Sequence, residues 1–158
     1  MGKANNVTRF LAAKKIAFDI HELPAEKLTA LEAANHLGLE PLRMFKTIVA
    51  LRADGRKTVL ALVPAETQVN MKTLGRVLGG TKVKAASLSR AEALTGLKTG
   101  GISPLALIGK GFETILDSSA MNFEAIYLSA GERGLNLSMA PQDLIELTGA
   151  ITGSISSE

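Results

Sequence analysis

Lys46 stands in the run Met44-Phe45-Lys46-Thr47-Ile48. Strand alternation places it on one face with Met44, Ile48 and Ala50. A lysine among apolar neighbours must reach solvent, find an anion or shift its pKa. Snorkelling at the end of the strand is the plain solution, and a bound anion is the functional one. The second candidate is Thr95-Gly96-Leu97-Lys98-Thr99-Gly100-Gly101-Ile102-Ser103-Pro104. Glycines let a backbone approach a ligand closely and aim successive N–H groups at one oxygen. Such donors can stabilise the oxyanion of an ester under attack. The segment lacks the Gly-Lys-Ser/Thr ending of a P-loop and is no dinucleotide fingerprint, and a turn closed by proline is its other reading.

The remaining polar residues exclude more than they propose. The sequence has no cysteine, which rules out disulfides, thiolate zinc sites and a cysteine nucleophile. Its two histidines, His21 and His36, have no partner at ligand spacing, so metal binding is not expected, and no motif calls for a cofactor. Ser129 lies in Ser129-Ala130-Gly131-Glu132-Arg133-Gly134, where nothing nearby makes a nucleophile–base pair and no nucleophile elbow is present.

The elements that must position these residues fit one domain. The chain has 158 residues, 46% apolar and 21% charged, enough to bury a continuous core. Residues 1–152 read as that domain and residues 153–158 as a short polar tail. Val7, Phe10 and Leu11 have helical spacing, and Ile16, Phe18 and Ile20 alternate as a strand. Thr29 with Glu32, and Ser89 with Glu92, have capping-box form. Asp54-Gly55 between residues 44–52 and 58–63 predicts a β-hairpin, apolar on both faces and therefore covered on each side. A helix over 71–78 stops at Gly79-Gly80, and short strands are expected at 81–85, 114–116, 125–129 and 135–139. Pro141 opens a last helix. The order is not strictly alternating, so the expected fold is α/β: a central mixed sheet covered by helices.

Net charge is +3, and the basic residues are scattered. Aromatic residues are 4%, too few for a base-stacking platform, so neither DNA nor a long RNA surface is the expected partner. No stretch approaches the roughly 20 apolar residues that span a bilayer, and the first fifteen residues do not read as a signal peptide. A cytoplasmic protein with no membrane contact is the expectation.

Several blocks, in order, resemble the YbaK family of aminoacyl-tRNA deacylases. They are Ile16-Ala17-Phe18-Asp19-Ile20-His21, Phe45-Lys46-Thr47, Thr95-Gly96 with Gly100-Gly101-Ile102-Ser103-Pro104, and Ile126-Tyr127-Leu128-Ser129 through Arg133-Gly134-Leu135. The resemblance spans about residues 4 to 150 and implies the fold of that family. Its members include free-standing deacylases of Cys-tRNA(Pro) and Ala-tRNA(Pro) and the editing domain inserted in bacterial prolyl-tRNA synthetases. The chain lacks synthetase motifs and so resembles a free-standing editor.

The resemblance implies a role for Lys46 as the functional lysine that holds the substrate's 3′ end or aminoacyl group. It makes Gly100 to Pro104 the family's Gly-x-x-x-Pro loop: Gly101 joins Lys46 in catalysis, while Gly100, Ile102, Ser103 and Pro104 line the aminoacyl pocket with Ser129 and His21. It implies mischarged tRNA(Pro) as partner, with prolyl-tRNA synthetase as a possible second. In cysteine-specific members the substrate's own thiol attacks its ester, a lyase-like course that suits a chain without a nucleophile. Leu23 stands where those members carry tyrosine, Asn136 where they carry aspartate, and Leu97 where tyrosine is common. A deacylase for another amino acid such as alanine, or a non-catalytic module that captures aminoacyl-tRNA or a synthetase, are the alternatives.

Overall fold

Two runs of β-formers joined through Asp54-Gly55 pair as antiparallel strands β2 (Phe45–Arg52) and β3 (Val59–Pro64). Gly55 takes φ 73°, which a side chain would resist, and Arg52 closes the turn with ion pairs to Asp54 and Glu113. The computed structural model describes residues 4–24 and 26–157. β3 is buried along its whole length, because apolar clusters form on both its faces. Leu60 and Leu62 join Phe45 and Val49 on one side, while Val59, Ala61 and Val63 meet Ala50, Leu74 and Ile115 on the other. The hairpin is thus the covered pair that its two-sided apolar pattern predicts.

Around it a five-stranded mixed sheet runs β5 (Val83–Ala85), β2, β3, β6 (Glu113–Asp117), β9 (Ile151–Gly153). The β3–β6 and β6–β9 pairs are parallel and the others antiparallel. A second, antiparallel sheet is ordered β1 (Phe18–Glu22), β8 (Leu135–Met139), β7 (Ile126–Glu132). The five-stranded sheet is the central mixed sheet that was expected, and the second sheet beside it has two unlike faces. Ile20, Leu128, Leu135 and Leu137 pack into the main core, whereas His21, Ser129, Asn136 and Ser138 alternate with them on the opposite face.

Helices α1 (Asn6–Ala13), α2 (Ala30–Leu37), α3 (Met71–Val77), α4 (Leu88–Thr95) and α5 (Pro141–Thr148) complete the mixed α/β fold. Thr29 and Glu32 form the capping box predicted for α2, and Gly38 ends that helix in the left-handed conformation. The cap expected at Ser89 lies at Ser87, whose side chain accepts from the Arg90 N–H. Glu92 is therefore free of the capping role and accepts instead from Thr99. No helix among the described residues is long and apolar enough to cross a membrane.

Residues 153–157, read from the sequence within a short polar tail, take part in the fold. β9 pairs with β6, and β10 (Ser156–Ser157) pairs with β4 (Gln68–Val69). Ile155 is completely buried between them. The buried Asp117 carboxylate holds this segment, accepting from Ile155 N at 2.9 Å, Ser156 N at 3.0 Å and the Ser119 hydroxyl. Asp117→Ala leaves those donors without an acceptor and lowers unfolding stability by about 2 kcal/mol. A urea midpoint equal to the parent's disproves that role.

Candidate active site

Residues 41–50 set the site. Pro41–Arg43 form one 3-10 turn, after which β2 begins and carries Lys46 at its entry. The Lys46 ammonium donates to the Ala65 carbonyl at 3.3 Å, and no carboxylate among the described residues pairs with it. Partial burial pushes its pKa below the ordinary lysine value. The charge therefore has one long bond, and Lys46 lines a cavity. That cavity has a volume of about 470 Å³.

Three walls close the cavity around Lys46 and its strand. α2 and the segment before it supply Leu28, Thr29, Ala30 and Ala33. The small sheet supplies Ser129, Gly134 and Asn136, with Leu23 beyond β1. Ala85, Ala86, Leu88 and Ala91, from β5 and α4, form the third, and Thr99, Gly100 and Ile102 of the glycine loop complete the ring. The lining is chiefly apolar with a few polar groups, a common composition for a ligand site.

Lys46, Gly100, Ile102 and Ser129 thus share one cavity. The other four predicted residues do not line it, for reasons of packing. The Gly101 N–H is committed to the Lys98 carbonyl at 2.8 Å, which removes it as an oxyanion donor. A Cβ at Gly101 would lie 2.8–2.9 Å from backbone atoms of Glu132 and Arg133, so this glycine lets the loop touch the β7–β8 turn. Ser103 is fully buried, and its hydroxyl accepts from the Leu105 N–H to cap the turn that Pro104 opens. His21 bonds the Ser138 hydroxyl at 3.0 Å and leans on Tyr127 with ring centroids 5.0 Å apart. It stands directly across the strands from Asn136, beside the cavity rather than in its wall.

The glycine loop is clamped from two sides. Glu92 accepts from the Thr99 N–H at 2.7 Å and its hydroxyl at 2.9 Å, and these bonds, backbone first, hold its pKa below the usual carboxylate value, with smaller help from Lys98 and Arg133. Arg133 Nε donates to the Thr99 carbonyl at 2.7 Å. Gly100 takes φ 93°, and among the described residues the Gly100 and Ile102 N–H groups have no acceptor within the protein. Two rigidly held amides are left free beside the cavity.

Asn136 is the cavity residue that spacing alone did not single out. It is 7% exposed, and no protein group among the described residues bonds its carboxamide. Its polar atoms keep a little accessible surface, and the cavity is where that surface lies. The available signal was the alternation Leu135-Asn136-Leu137-Ser138-Met139, which puts amide and hydroxyl on one face. Among the described residues no group of three or more His, Cys, Asp or Glu could hold a metal ion.

Comparison with known proteins supplies a lineage for this arrangement. Residues 25–147 match the aminoacyl-tRNA editing domain family. The chain is 35% identical over 147 residues to the "Putative Cys-tRNA(Pro)/Cys-tRNA(Cys) deacylase EbsC" of Enterococcus faecalis, covering 90% of this chain and 87% of the relative. A stretch of 81 residues, 51% of this chain, is 37% identical to 14% of a proline–tRNA ligase of Desulforamulus reducens. Among solved structures, that of "a putative trans-editing enzyme for prolyl tRNA synthetase" superposes with a TM-score of 0.78 at 23% identity, covering 99% of this chain and all of the other.

Proposed function

The chain belongs to the aminoacyl-tRNA editing domain family, and on that premise we propose that it hydrolyses mischarged aminoacyl-tRNA(Pro), Cys-tRNA(Pro) foremost. The observation that carries this reading is the meeting, in one cavity, of a Lys46 with no carboxylate partner among the described residues and of Gly100 and Ile102, whose amides are uncommitted there. The similarity to proline–tRNA ligase supports the choice of tRNA. It also supports prolyl-tRNA synthetase as a companion that adds affinity, since the chain's own net charge of +3 is modest. A translational substrate supports a cytoplasmic location as part of the same reading.

An aminoacyl ester is already activated, so orientation and charge stabilisation are the protein's main tasks. Lys46 holds an oxygen of the substrate's 3′ end or acyl group, and the Gly100 and Ile102 amides face the carbonyl oxygen as it becomes an oxyanion. Water adds to the carbonyl carbon, the bond to the ribose oxygen breaks, and that oxygen takes the proton. With a cysteinyl ester, the substrate's thiol can make the attack in place of water: an acyl–sulfur bond forms, the bond to the ribose oxygen breaks, and that oxygen takes the thiol's proton. Leu23 and Asn136, where cysteine-specific members differ, both line the cavity, so they bear on which side chain is accepted.

Incubation of the purified chain with Cys-, Ala- and Pro-tRNA(Pro) tests the reading. Cys-tRNA(Pro) is expected to be cleared over many turnovers while Pro-tRNA(Pro) persists. Clearance of Ala-tRNA(Pro) in its place reassigns the amino acid. Binding without turnover above the spontaneous rate leaves a capture module and ends the enzymatic reading.

A further inference from the structure

The charge of the chain is unevenly shared. Residues 67–91 carry Lys72, Arg76, Lys82, Lys84 and Arg90 and no acidic residue, so the rest of a chain of net charge +3 is net negative. All five are exposed. Three of them meet: Lys72, Arg76 and Lys82 line one hollow of about 370 Å³ between α3 and the segment that leads into β5. Lys72 and Arg76 stand four residues apart and so share a face of α3. Gly75 lets the opposite wall close in, because a Cβ there would collide with the Thr81 carbonyl oxygen. No carboxylate among the described residues pairs with any of the three cations.

This hollow lies beside the cavity that contains Lys46. Lys82 lines the first and Ala85 the second. The Ala53 N–H bonds the Lys82 carbonyl and β5 pairs with β2, so the segment from Lys82 to Ala85 is extended and spans about 10 Å. Exposed cations hold a lone phosphate ion weakly, because solvent screens each pair. A polyanion gains more, since every phosphate neutralised releases condensed counterions. We infer that the hollow between α3 and β5 docks phosphate groups of the RNA strand whose aminoacyl end occupies the cavity, through Lys72, Arg76 and Lys82. Such contacts fix the position of the strand and carry no sequence information. The identity of the strand rests on the deacylase reading.

The test compares the full chain with the triple variant Lys72→Gln, Arg76→Gln, Lys82→Gln. A control of equal charge, Arg9→Gln, Lys14→Gln, Lys15→Gln, alters exposed residues at α1 that line neither the hollow nor the cavity. Binding of an acceptor-stem RNA carrying alanine in a nonhydrolysable 3′-amide linkage is followed over a range of salt concentrations. The first variant is expected to weaken Kd on the order of 10- to 100-fold at about 0.1 M salt. It is also expected to flatten the slope of log Kd against log salt by about 2 to 3, the share of three phosphate contacts. The control keeps most of the parental affinity and slope. Both variants hydrolyse cysteinyl- or alanyl-adenosine, which carries the ester and no phosphate, at the parental rate, while the first alone loses kcat/KM on the aminoacylated RNA. Parental affinity and slope in the first variant, or an equal loss in the control, overturns the inference and leaves the hollow to another anion, such as an acidic protein surface. If the parent hydrolyses neither kind of ester, the deacylase reading fails, while the salt slopes still decide where RNA docks.

Discussion

Lys46→Met is expected to lower deacylation by roughly 100- to 1,000-fold, the scale of removing one donor from a developing oxyanion, while leaving the fold at least as stable as before. The two halves of this result come from the same geometry. The ammonium makes one long bond to Ala65 and no ion pair, so its removal breaks little and relieves the desolvation that lowers its pKa. An isolated methionine at the entry of β2 fits the apolar neighbours Met44 and Ile48. A lysine that merely snorkels predicts the opposite pattern, with activity intact. Thermal unfolding and single-turnover deacylation on the same preparation separate the two. The pH profile supplies a further sign. Because burial favours the neutral form, the activity that needs the charge declines on the alkaline side below the ordinary lysine range. Lys46→Arg keeps its charge throughout, so any activity it retains lacks that alkaline decline.

Gly101→Ala is the second large effect, and it acts without touching the substrate. A methyl group at this position meets the backbone of Glu132 and Arg133, which cannot rotate aside as a side chain would. The loop must lift from the β7–β8 turn, and Gly100 and Ile102 move with it. Displacing aligned donors by about 1 Å costs on the order of 100-fold in rate. The expected outcome is a fall of that size in the rate of the bound substrate, with a smaller change in KM. A variant with parental rate places the catalytic donors elsewhere. Gly100 needs its missing side chain for a different reason: its φ of 93° is strained for any other residue. The two neighbouring glycines are thus required on separate grounds, one for backbone angle and one for space.

Much of the local structure was legible in the residues. The Asp54-Gly55 hairpin, the Thr29–Glu32 capping box and the strand at Leu135–Met139 depend on short-range chemistry, which a window of a few residues contains. The family blocks containing Lys46 and the glycine loop were legible for the same reason. The pairing of residues 153–157 was not legible there, because its anchor, Asp117, lies 38 residues away along the chain from Ile155. No local pattern encodes a bond between a strand end and a tail.

What composition and spacing determined is the set of available chemistries: no thiol, one lysine in an apolar strand, and a loop able to present bare amides. Tertiary structure decided which of them meet. It brought Lys46, Gly100, Ile102 and Ser129 to one hollow, kept Gly101, Ser103, Pro104 and His21 out of its lining, and added Asn136. The physical reason is that a side chain's type is a property of its own position. Whether an amide is spent in a turn, or a polar group has a partner, depends on segments folded against it from far along the chain.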